Sequence, residues 1–175
     1  MDSLLSGAHL HLLVNHVPIL GAAFALALLI ASYLFAPDVL RRTAFAVLVV
    51  TALGGLAADL TGEPAEKEIK GFPGVSRDVI HAHEDMAEKA YLIGGVVGVL
   101  ALGGLLRWRR SPVPAGATLA MLVATAFLSG AMVYTGLLGG RVRHTEVRPG
   151  AVPADAMTIE PPRVRPPGGG PVVRP

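Results

Sequence analysis

The sequence predicts an all-α fold. It reads as a bundle of four transmembrane helices, with a short amphipathic helix in the loop between the second and third and a proline-rich extended tail. Three observations lead there. Hydrophobic residues make up 52% of the 175-residue chain. Charged residues make up 16%, against about 25% in a typical soluble domain. The apolar surplus is gathered into four blocks, at about residues 17–35, 44–60, 90–106 and 115–138. Each approaches the roughly 20 residues needed to cross a hydrocarbon core about 30 Å thick. Four such blocks leave too little polar sequence to wrap a soluble core. Residues 1–144 are therefore expected to form the membrane domain, with spans at about 8–35, 44–61, 77–106 and 115–138 and a tail at 145–175.

The first span begins near Ala8. Pro18 lacks a backbone donor, so the Val14 carbonyl loses its helical partner and the helix kinks there. Alternatively the regular helix starts at Pro18, a favoured first-turn residue, and 9–17 is a separate segment. Ala36, Pro37 and Asp38 end this span. The second runs to Gly62, a plausible helix stop. Pro64 and Gly71 then frame the short polar helix, and Phe72-Pro73-Gly74 makes a turn. Ser76 is the expected N-cap of the third span, with Asp78 in its first turn. Gly94, Gly98, Gly103 and Gly104 suit close helix packing. Trp108, among Arg107, Arg109 and Arg110, is an interfacial anchor. The fourth span follows Pro112 and Pro114 and ends at Gly139-Gly140. The stretch 145–175 holds eight of the fourteen prolines and cannot bury a core.

Several function classes are excluded. The chain has no cysteine, hence no disulfide framework and no thiolate metal site. Its net charge of +2 forms no aromatic-interleaved basic patch, so no nucleic acid is expected. It holds no Gly-x-Ser-x-Gly elbow, phosphate loop or Glu-x-x-His pair. The middle of each span is Ala, Leu, Val and Gly, unlike the polar or broken helices of a transporter. No basic residue precedes Arg41, so the start lacks the charged lead of a signal peptide. Arg41 and Arg42 directly after the first span, and the arginines after the third, set the orientation. Both termini and the 2–3 loop are expected outside, in a bacterial periplasm, with the chain in the inner membrane.

In this topology all six histidines fall at one end of the bundle: His9, His11, His16, His81, His83 and His144. Asp59, Glu63, Glu66, Glu84, Asp85 and Glu88 share that end. Ionisable groups at a membrane boundary are costly unless used, and imidazole suits zinc, copper and haem iron. His83 lies on the small-residue face of Ala87, Ala90, Gly94 and Gly98, which should turn inward. His16 is the expected partner across the bundle. A bis-histidine haem b site needs one histidine from each of two helices. A metal ion would use His16 and His83 with Glu63, Glu66 or Glu84, supported by Asn15. His9, His11 and His81 are the lesser candidates, and His9, His11 and His144 suit a solvated interface better than a ligand role. His16 and Asn15 could instead bond the backbone freed at Pro18, and Asp59 could pair with Arg141 or Arg143.

His11-Leu12-Leu13-Val14-Asn15-His16-Val17-Pro18-Ile19-Leu20-Gly21 resembles the first span of a widespread, uncharacterised family of small four-span proteins of the bacterial inner membrane. The resemblance extends to Thr61-Gly62-Glu63-Pro64-Ala65-Glu66, Pro73-Gly74-Val75-Ser76 and Ala82-His83-Glu84, over roughly residues 8–140. It implies no activity. It implies that Asn15, His16, Glu63, Glu66, His83 and Glu84 belong to one site. A looser likeness to four-span haem b electron carriers is architectural. The expectation that follows is a haem b or transition-metal protein serving electron transfer in a larger membrane complex. The alternative is a non-catalytic accessory subunit, docked on partner subunits through its spans and its tail.

Overall fold

The structure is a computed structural model that describes residues 6–35 and 37–151. Its elements are α1 (Gly7–Val14), α2 (His16–Phe35), α3 (Asp38–Ile69), α4 (Arg77–Arg107) and α5 (Ala115–Arg143), followed by a single 3₁₀ turn at Thr145–Val147. Among the described residues there is no strand. Four helical stretches are long and apolar enough to cross a membrane, α1 and α2 together forming the first. The chain is a multi-pass membrane protein. Most of the expected tail lies outside the described residues.

Spans adjacent in sequence are adjacent in space, and α2 also packs on α5, which closes the ring into a four-helix bundle. The inward faces follow a three-four spacing. In α2 the buried residues are Pro18, Ala22, Ala25, Leu29 and Ser32; in α5 they are Thr118, Met121, Thr125, Leu128, Met132, Thr135, Leu138 and Val142. Many of these are small or hydroxylic, because in lipid the helices are held by close packing and not by expulsion of apolar surface. Gly21 and Gly98 are the tightest cases: a Cβ there would overlap the Thr51 and Ala52 side chains of α3. Many of the large apolar side chains point the other way. Phe127 is 74% exposed and Val99 71%, a belt that only lipid or partner helices would cover.

At the arginine-bearing end the two short connections are clasped together. Asp38 accepts from the Val113 N–H at 2.7 Å and pairs with Arg42 at 2.6 Å. Arg42 also donates to the carbonyls of Trp108 and Ser111, and Arg41 to that of Val113. One carboxylate and two guanidiniums thus satisfy backbone groups that the turns leave without helical partners.

Two expectations about elements are corrected. There is no separate amphipathic helix in the 2–3 loop, because α3 continues through Gly62 and Pro64 to Ile69. Pro64 forfeits one helical bond, but it and Leu60 are both exposed, so water can serve the Leu60 carbonyl. At 32 residues α3 is about 48 Å long and rises well clear of the hydrocarbon. It stops at Gly71, whose φ of 95° suits glycine alone. The first span is interrupted just after Val14, the residue whose carbonyl Pro18 deprives of a partner. The break falls at Asn15, and Pro18 sits in the first turn of α2. Ser76 does stand at the N-cap of α4, but its side chain makes no capping bond.

Candidate functional site

The histidine-bearing end is a cap built from α1, the last turns of α3, the first turns of α4 and the end of α5. Glu68, on the extension of α3, accepts the N–H groups of Gly7 and Ala8 at 2.6 and 3.0 Å. It thereby caps α1 from sixty residues away, where the helix leaves donors unpaired. Gly7 permits the approach, since a Cβ there would lie 2.7 Å from the Pro64 Cβ. The continuous α3 is what holds α1, and the histidines it carries, over the bundle.

Two histidines turn inward. His11 is half-buried, and its Nδ1 lies 3.1 Å from both the Ala58 carbonyl and the Thr61 hydroxyl of α3. His83 is half-buried too, with Nδ1 3.1 Å from the Thr135 carbonyl of α5. A carbonyl can only accept, so each Nδ1 carries the proton and each Nε2 keeps its lone pair. Gly139 leaves room for the second ring: a Cβ there would come within 3.0 Å of His83 Cε1. The two imidazoles stand on the first and third spans, which are diagonally opposed in the ring of four.

The remaining candidates fall into place around this pair. His16 is exposed, with Nδ1 3.0 Å from the Leu12 carbonyl one turn back. It shares its outward face with Leu12, Leu13 and Leu20, so the expectation that His16 faces His83 does not hold, and His11 occupies that position. Asn15 is partly buried, and its Oδ1 is sealed from solvent with no hydrogen-bond partner. Glu63 is exposed and pairs with Lys67 at 2.7 Å. Glu66 is half-buried and lines a small cavity with Lys70, Arg77 and Ile80, while Glu84 is exposed but feels the charge of Glu66. His9 bonds Ser6, His144 pairs with Glu146 at 2.9 Å, and His81 is exposed. Asp59 is exposed, and neither arginine pairs with it: Arg143 lies over the Phe72 ring.

The expected five-residue metal set is not assembled. Among the described residues no group of three or more histidine and acidic side chains is placed to hold a metal ion. What the fold presents at this end is two imidazoles anchored at Nδ1, one to α3 and one to α5, with an unpaired amide oxygen on the same helix face as His11. Sequence reasoning gave His11 to the solvated interface, whereas its ring turns inward onto α3. The signal lay in the stripe of α2: stepping outward from Ser32, Leu29, Ala25, Ala22 and Pro18 by threes and fours reaches Asn15 and then His11, never His16.

These features define a class, a four-span membrane bundle capped at one end by inward-turned histidines. No family model, curated protein or solved structure matches the chain.

Proposed function

We propose that this protein holds a transition-metal centre, haem b iron or a bare ion, between His11 and His83, and that it serves electron transfer within a larger membrane complex. One observation carries the reading. Both rings are fixed through Nδ1 by backbone carbonyls of neighbouring helices, with Nε2 left free. That is how ligating histidines are commonly oriented and made more basic. Two imidazoles from two spans suffice for a haem iron, which needs only axial ligands from the protein.

In this reading Glu66 and Glu84 lie around the centre without binding it, and His16 belongs to the outer surface. The arginine-bearing end faces the cytoplasm of a bacterium and the cap faces the periplasm, as the positive-inside rule favours. The motif resemblance supports the same setting in the inner membrane, with Asn15 and His83 in one shared site. No side chain is assigned a catalytic role.

The absorption spectrum of the full chain purified in detergent, with metal analysis, tests the proposal. A Soret band, or stoichiometric bound metal, is expected. His11→Ala and His83→Ala should each abolish it. Protein free of haem and of metal, and unable to take up either, would overturn the reading. It would favour the accessory-subunit alternative, in which the exposed apolar belt and the tail beyond residue 151 dock on partner subunits.

A further inference from the structure

We infer that Asn15 is a third donor of the cap, and that the occupant is a bare divalent first-row transition-metal ion bound by His11 Nε2, His83 Nε2 and Asn15 Oδ1. This rests on the histidine pair proposed above and separates its two possible occupants. Asn15 continues the helical course of α1, with its N–H bonded to the His11 carbonyl at 2.9 Å. It therefore lies one turn from His11 on the same face.

Depth follows from two contacts with α5. A Cβ on Gly136 would touch Ile19, and a Cβ on Gly139 would touch the His83 ring. Asn15 is one turn outward of Ile19, and Gly139 is nearly one turn outward of Gly136. Asn15 and His83 thus stand at the same level against α5, with His11 one turn above. The break at Asn15 ends α1 there, at the level of His83.

The chemistry of the set then selects the occupant. The Asn15 amide oxygen is a buried acceptor without a partner, which costs about 1–3 kcal/mol, and a cation shared with the two Nε2 lone pairs removes that cost. A haem iron would take the two nitrogens and leave the amide oxygen as it is. Mixed imidazole and carbonyl ligation suits ions such as Zn²⁺, Cu²⁺, Ni²⁺ or Co²⁺.

The test uses the full chain in detergent, stripped with a chelator and titrated with Co²⁺ while its visible absorption is followed, with Zn²⁺ as competitor. One Co²⁺ per chain is expected, displaced by Zn²⁺. Asn15→Leu, which keeps the volume and loses the oxygen, should weaken Co²⁺ at least tenfold. Asn15→Asp, which adds a charge, should tighten it at least tenfold. Co²⁺ binding that needs both histidines but ignores both Asn15 variants would overturn the Asn15 assignment and leave the pair standing. A Soret band without Co²⁺ binding would overturn the bare ion and leave the haem form of the pair. Absence of both would overturn the pair itself.

Discussion

Gly139→Ala is the substitution in which the geometry of the cap can be read most directly, because Gly140→Ala is its built-in control. Both glycines lie inside α5, and replacing either by alanine stiffens the unfolded chain and favours the helix by about 0.5–1 kcal/mol. They differ in what the new methyl meets. At Gly140 nothing lies within 4 Å; at Gly139 the methyl would sit 3.0 Å from His83 Cε1, 3.3 Å from Nδ1 and 3.5 Å from Nε2. The His83 ring must tilt away by a few tenths of an ångström. That moves Nδ1 off the Thr135 carbonyl, a neutral hydrogen bond worth about 0.5–1.5 kcal/mol. The displaced rotamer costs a similar amount, about 0.5–1.5 kcal/mol. Gly140→Ala should therefore melt above the parent chain and Gly139→Ala below Gly140→Ala, the two variants separated by about 1–3 kcal/mol. For a chain of this length that is roughly 2–12 °C in Tm, measured by thermal unfolding in one detergent. Nitrogen NMR of the His83 ring should show the Nδ1–H tautomer in the parent and a mixture in Gly139→Ala. Coincident melting curves and unchanged ring signals would refute the placement of His83 against α5.

Other perturbations examine the rest of the structure. His16→Ala should leave metal or haem uptake intact, as followed by absorption, because its ring faces away from the pair; loss of uptake would restore it as a ligand. Gly98→Val should destabilise the bundle by about 1–3 kcal/mol through overpacking against Ala52. Gly95→Ala, which meets nothing within 4 Å, should be neutral or better in the same unfolding assay. Asp38→Ala should cost about 1–2 kcal/mol, since the Val113 N–H and Arg42 lose their acceptor at a partly exposed site. The same variant should speed proteolysis in the connection around Pro112, because the clasp that holds the two turns together would be gone.

The sequence alone determined the class and the polarity of this protein. Four apolar runs of spanning length need no tertiary information to be read, because the bilayer imposes their length and composition. Short connections make the helices alternate, and alternation alone gathers the six histidines at one end. The inward face of α4, with His83 in register with Ala90 and Gly94, was also legible from its small residues. Two matters were left to the tertiary structure. One was the extent of α3, where Pro64 and Gly62 read as a break. The helix persists because its lost bond faces solvent and because Ala65 is buried while Glu68 ties its end to α1. The other was the rotation of the first span. Hydrophobicity cannot orient a helix whose lipid face and packed face are both apolar, so Leu12, Leu13 and Val17 carried no direction. The close approach of small residues to α3 and α5 sets that rotation, and it brings His11 and Asn15 inward and leaves His16 on the outside.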